Sequence, residues 1–192
     1  MTQERRLTAE DWAEAALEAL GEGGLSAIAV EPLAARLGVT KGSFYWHFAN
    51  REALVAAALA LWEQRSTEAK IASLNAEPDP VARIRLLFSQ AIELAGRDSA
   101  EINLRAASDN PLVQPLLRRV IQRRLWYTID LFEQIGFSRE EAIRRGAMAF
   151  TAYGGQSEIT ARFPGIMPID EGGGIGAYVD SVLEVLLSGR PG

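Results

Sequence analysis

Five consecutive residues, Phe44, Tyr45, Trp46, His47 and Phe48, set four aromatic rings beside the chain's single histidine. Lys41, Gly42 and Ser43 stand just before them, and Arg51 follows within a helical turn. On a helix, positions four apart share a face, so Phe44 and Phe48 pack inward together while Tyr45 and Trp46 project away. Read without its neighbours, an aromatic run at this spacing is more simply core. Outward Tyr and Trp, however, present apolar rings that gain from a partner. The DNA major groove is one: an aromatic edge meets a thymine methyl, and a lysine such as Lys41 reaches guanine O6 or N7. Gly42 lets the backbone approach closely, Ser43 flanks the rings, and His47 and Arg51 are spaced for phosphate oxygens.

The elements that must position these residues are helical. Thr8 caps a first helix with Asp11 in the capping-box position, and Trp12, Ala16, Leu17 and Leu20 form its apolar stripe before Gly21, Gly23 and Gly24. Pro32 suits the first turn of a short second helix. In LAARLGVTKG, Leu33, Ala34 and Leu37 face inward, Gly38 permits a tight turn and Val39 plugs the angle, a helix-turn-helix. Thr40 is placed to cap the third helix, and Asn50 a long fourth helix that begins at Arg51. From Arg36 to Arg51 the chain holds three cations and no acidic residue, in a protein of net charge −5 and pI about 5.1. Phosphate dominates nucleic-acid affinity, so such a balance suits a small, defined contact rather than a general polyanion binder.

The segment LAARLGVTKGSFYWHFANREAL resembles the DNA-binding signature of the TetR family of bacterial transcriptional regulators, and the resemblance spans roughly Leu7 to Leu59. It implies an all-α protein: a three-helix helix-turn-helix DNA-binding domain over residues 1–52, and a helical ligand-binding and dimerisation domain over 53–192. It further implies a homodimer that binds a near-palindromic operator, usually as a repressor, and leaves it when a small molecule enters the second domain. Carried over by position, Lys41, Gly42, Ser43, Tyr45 and Trp46 face bases, and Thr40, His47 and Arg51 hold phosphate. One departure stands out. Where many members place threonine and then a basic or polar residue, this chain has Ala29, Val30 and Glu31, and Glu31 repels phosphate.

Periodicity gives about nine helices and no strand. After the NAEPDP break, Ile84, Leu87, Phe88, Ala91 and Ile92 mark one helix; Leu117 to Ile135 carries another, and Ser138 with Glu141 opens a third. The last helix shows Ile175, Tyr178, Val179, Val182, Leu183, Leu186 and Leu187 on one face, and with Ala147, Gly154 and Gly155 of the helix before it forms the expected dimer seam. Closing the protomer's own core is the other use for that face. Trp62, Phe88, Ile92, Trp126, Phe150 and Tyr153 are candidates for an apolar effector pocket. Asn103, Arg105 and Asp109 are its candidate polar contacts, with Arg105 for a ligand carboxylate. Arg118, Arg119, Arg123 and Arg124 read better as a solvated helix face than as a second phosphate site.

The chain has no cysteine, which removes disulfides, thiolate ligands and cysteine nucleophiles. With one histidine, already taken up by the aromatic run, no metal, no cofactor and no enzyme activity are expected. The start, MTQERRLTAEDW, lacks the apolar stretch of a signal peptide. No run approaches the length of a membrane span, so a cytoplasmic protein without membrane contact is expected. The alternative reading is a helical small-molecule carrier or interaction protein that has lost operator binding.

Overall fold

The computed structural model describes residues 7–169 and 171–190; the basic stretch at residues 1–6, read against a signal peptide, lies outside them. Its helices begin where side chains satisfy the first free N–H groups. Thr8 Oγ1 accepts from the Asp11 N–H at 3.2 Å, and the Asp11 carboxylate accepts from the Thr8 N–H at 2.7 Å, closing the expected capping box of α1 (Ala9–Gly23). A 3-10 turn, Gly24–Ala27, leads to α2 (Val30–Arg36) and α3 (Lys41–Phe44). Thr40 sits at the cap position of α3 with extended backbone, but its side chain makes no capping bond. Asn50 does cap α4 (Arg51–Glu63), its Oδ1 accepting from the Ala53 N–H at 2.8 Å.

The expected long fourth helix is interrupted. A five-residue π turn, Gln64–Glu68, separates α4 from α5 (Ala69–Leu74). Then come α6 (Pro80–Leu94), α7 (Ser99–Ala106), α8 (Gln114–Gln134), α9 (Arg139–Arg162) and α10 (Gly174–Leu186). Taking α4, the π turn and α5 as one continuous element leaves the expected nine helices among the described residues, with no strand. Ser138 Oγ accepts from the Glu141 N–H at 3.3 Å, whereas the Glu141 carboxylate turns to Arg144 and Arg145, so only half of that capping box forms.

The chain divides into two compact units, one reaching to Ser66 and including Ser99–Arg119, the other holding Thr67–Asp98 and the chain from Val120 onward. The first compact unit extends past the 52/53 position because Leu54, Val55, Ala58, Leu59 and Trp62 of α4 are buried in it. That unit also gathers α7: Asn103 Nδ2 donates to the Leu20 and Gly21 carbonyls at 2.8 and 3.0 Å, satisfying the end of α1. Its core centres on Trp12, Leu20, Ile28, Leu33, Phe44 and Leu54, all fully buried. The second unit packs α5, α6, α9, α10 and most of α8 around Ile84, Phe88, Ile129, Leu131, Phe132, Val179, Leu183 and Leu186. There α9 crosses α8 so closely that a Cβ on Gly146 would lie 2.6 Å from Ile129 Cγ1.

The turn between α2 and α3 depends on Gly38, whose φ is +69°. This left-handed residue allows the Val39 N–H to bond the Ala34 carbonyl at 2.9 Å and its own N–H to bond Ala35 at 3.2 Å, the double closure of a Schellman motif. Nothing lies within 4 Å of a Cβ built there, so only backbone strain opposes a side chain. Gly38→Ala is therefore expected to lower stability by roughly 1 kcal/mol. Urea unfolding checks this, with a lowered midpoint and an unchanged slope expected.

Candidate functional site

The Gly38 turn delivers α3 with Phe44 as its anchor. Phe44 is fully buried, edge-on to Trp12 at 5.4 Å and stacked on half-buried Phe48 at 5.7 Å. Bonds from the Trp46, His47 and Phe48 N–H groups to the Ser43 and Phe44 carbonyls extend the short helix into a turn. Tyr45 and Trp46 are thereby turned outward, 60% and 83% exposed. The division of the four rings is that predicted by their spacing. Lys41 and Gly42 are also exposed, with Ser43 and His47 half-buried beside them and Thr40 exposed at the helix start. Together these residues make one surface of protruding rings edged by polar groups.

Its charge differs from the sequence expectation. The three cations of the acid-free segment all have internal partners. Arg36 pairs with Glu22 of α1. Lys41 Nζ donates to Glu31 Oε1 at 2.7 Å. The Arg51 guanidinium donates to the backbone carbonyls of Ile28, at 2.6 Å, and Leu25. Arg51, expected at phosphate, thus ties α4 to the connection before α2, and two of its nitrogens are committed there. Glu31, expected to repel phosphate, is paired. The hydrogen bond and charge of Lys41 hold the Glu31 carboxyl below the usual carboxylate range, and Glu31 holds the lysine above its own, so both stay ionised. Between α2 and α3 this pair edges a hollow of about 400 Å³, lined also by Ala29, Val30, Pro32, Tyr45, Asn50 and Arg51.

Of the nine candidate effector residues only three converge, and Asp109 is exposed in the first unit. Phe88 and Ile92 of α6 and Tyr153 of α9 line an open, mainly apolar hollow of about 300 Å³ in the second unit. Met148, Gln156, Tyr178, Val182 and Val185 are among its other lining residues, and Tyr178 Oη donates to the buried Gln156 Oε1 at 3.2 Å. Gln156 was missed by sequence reasoning; its one signal is a polar amide within the small, apolar face of α9. Trp62 is core of the first unit, and Asn103 is committed to the end of α1. Arg105, expected to take a carboxylate, pairs with Glu101 at 2.6 Å in the same unit. Trp126 is exposed under the Arg139 guanidinium, and Phe150 is half-buried away from the hollow.

Much of the α10 face expected at a dimer seam is taken up by the protomer's own core. Val179, Leu183 and Leu186 of α10 are buried in their own unit's core, with Ile175, Val182 and Leu187 packed against it. Outward on α9 stand Met148, Ala152, Gly155 and Ile159, at spacings of four, three and four, with Val185 of α10 64% exposed. The arginine run of α8 is largely engaged. Arg119 makes a bidentate pair with Glu63, Arg123 with Glu68, and Arg124 bonds Thr67. Among the described residues no group of acids and histidine could hold a metal ion, and no helix is long and apolar enough to cross a membrane.

The site is a buried-ring helix-turn-helix with exposed aromatics on its second short helix, followed in the chain by an all-helical unit. Residues 13–58 match the pattern of bacterial regulatory proteins of the tetR family. The HTH-type transcriptional regulator TtgR of Pseudomonas putida is 27% identical over 142 residues, covering 70% of this chain and 65% of TtgR, so the match spans less than two thirds of that relative. A transcriptional regulator from Rhodococcus sp. Rha1 superposes with a TM-score of 0.75 at 20% identity over 95% of this chain and 97% of that one. FadR from Bacillus subtilis, in complex with stearoyl-CoA, gives 0.59 at 21% over 94% and 98%. Over residues 13–58 the chain is thus similar to the tetR family of bacterial regulatory proteins, and its fold is like that of these solved regulators.

Inward and outward rings of one short run should behave oppositely on substitution. Phe44→Ala is expected to cost about 3–5 kcal/mol of stability, and Trp46→Ala less than about 0.5 kcal/mol. Chemical unfolding of the two variants checks the assignment of faces.

Proposed function

We propose that the chain is a homodimeric repressor that reads a near-palindromic operator through α3 and releases it on binding a largely apolar small molecule. The observation carrying this reading is the outward pair Tyr45 and Trp46 beside Lys41, held by rings buried behind them. Lys41, Gly42, Ser43, Tyr45 and Trp46 then face base edges, with Thr40 and His47 at phosphate. Arg51 contributes by fixing the start of α4 rather than through free donors. A two-fold operator calls for a two-fold protein. The outward stripe of Met148, Ala152, Gly155 and Ile159, with Val185, supports pairing through α9 and α10, where small residues allow close approach.

The hollow lined by Phe88, Ile92, Tyr153 and Val182 is the effector site of this reading, with the Tyr178–Gln156 bond as its polar contact. FadR holds stearoyl-CoA, an apolar chain with a polar head; a smaller molecule of that character suits about 300 Å³. A ligand can shift the DNA-binding equilibrium only through different affinities for two arrangements of the dimer. The chain runs between its two units three times, at 66/67, 98/99 and 119/120, the first within the π turn. These crossings are the covalent routes by which a change in one unit reaches the other. The engaged cations Arg36, Lys41 and Arg51 are the one feature that favours a carrier without an operator.

Selection of genomic fragments by the purified protein, followed by titration across salt, tests the two readings. A short near-palindromic site is expected, bound about 5- to 150-fold more weakly by Tyr45→Ala and by Trp46→Ala, equivalent to roughly 1–3 kcal/mol each. A folded dimer that enriches no site would favour the carrier. Met148→Asp is expected to shift the protein toward monomer in sedimentation and to weaken operator binding with it.

A further inference from the structure

Glu31 stands on the presented face of α2, where a carboxylate opposes a polyanionic partner. Its pair with Lys41 is not what holds α2 to α3, since Leu33 and Phe44 are buried behind it. The two side chains are 71% and 53% exposed, and their charged atoms lie 2.7 Å apart. A base edge within reach of the Lys41 ammonium is therefore within reach of the Glu31 carboxylate. The major groove sorts what each can take. An ionised carboxylate only accepts, and the groove's only donors are the cytosine N4 and adenine N6 amino groups. An ammonium only donates, and its targets are N7, guanine O6 and thymine O4.

A G·C pair sets two acceptors, guanine N7 and O6, beside one donor, cytosine N4. O6 and N4 are themselves partners in the base pair's hydrogen bond, so they lie about 2.9 Å apart, close to the separation of Oε1 and Nζ. An A·T pair sets one acceptor on either side of its donor, and the thymine methyl crowds the O4 side. We propose that Glu31 is a specificity-determining residue, and that the Glu31–Lys41 pair reads one G·C base pair in each half-site. Lys41 donates to guanine O6 and N7, and Glu31 accepts from the cytosine N4 amino group. The inference rests on the operator-binding reading and adds a base-specific task to the residue that departs from the family pattern.

The test is selection of binding sites from a randomised duplex pool by the full-length protein, by Glu31→Ala and by Glu31→Gln, with affinities then measured on single-base variants. Both substitutions are at an exposed position, and thermal unfolding confirms that each variant is folded. The wild-type protein is expected to require a G·C pair at one position per half-site. Glu31→Ala should lose roughly five- to hundredfold discrimination at that position alone, while its affinity for unrelated duplexes rises. Glu31→Gln should shift the preference there toward A·T, because a glutamine amide matches adenine N6 and N7. A clear wild-type consensus unchanged by Glu31→Ala, with binding tightened equally on all sequences, would show a merely repulsive carboxylate and overturn the proposal. A wild-type preference for A·T at the position Glu31 controls overturns it too. No consensus for the wild-type protein overturns the operator reading and this proposal with it.

Discussion

The burial of the Phe44 ring against Trp12 is the contact on which the presented surface depends. The α3 helix is only four residues long, Lys41–Phe44, and so short a helix has no stability of its own. Its position comes from one side chain driven into the first unit's core, with Phe48 stacked behind it. Helical geometry then leaves no choice for the neighbours. With Phe44 inward, Tyr45 and Trp46 face solvent, and the left-handed Gly38 sets the direction in which they point. The Trp12 indole N–H is buried without a hydrogen-bond partner, so the ring is there for its apolar area.

Charge plays a different part in this surface than in a general nucleic-acid binder. The nearby cations are held by Glu22, Glu31 and two backbone carbonyls. Exposed ion pairs are weak and yield to a competing phosphate, whereas Arg51 is partly buried and bonded to main chain. The surface therefore offers shape, rings and an exposed pair of opposite charges. Such a combination favours selective contact over simple attraction, in keeping with a protein of net charge −5.

In the second unit, one apolar face serves the protomer and another is left over. Val179, Leu183 and Leu186 close the core, which removes the most hydrophobic side of α10 from any other use. The outward stripe on α9 is built from smaller or more flexible residues, Met148, Ala152 and Gly155 among them. The hollow between α6, α9 and α10 opens at the edge of this stripe, with Met148 and Val185 contributing to both. In the proposed reading, assembly and effector binding share Met148 and Val185, which is a direct physical means of linking them.

Residues close in the chain were legible from the sequence. The Thr8–Asp11 box, the Asn50 cap, the Gly38 turn and the inward and outward rings of Phe44 to Phe48 follow from helical spacing and local hydrogen bonding, because their partners lie within about one turn. The family signature is legible for the same reason, being contiguous. The effector candidates were less so: Phe88, Ile92 and Tyr153 share a hollow, but Trp62, Asn103 and Arg105 belong to the first unit. Nothing local tells which of two helices an aromatic or an arginine will meet. By itself the sequence determined which residues form helices, where they turn, and which rings face outward. Only the tertiary structure decided that Glu31 meets Lys41, that Arg51 turns to Leu25 and Ile28, and that α10 closes its own core. Those partners are 10 to 26 positions apart or lie on other helices, and packing alone brings such groups within a hydrogen bond of each other.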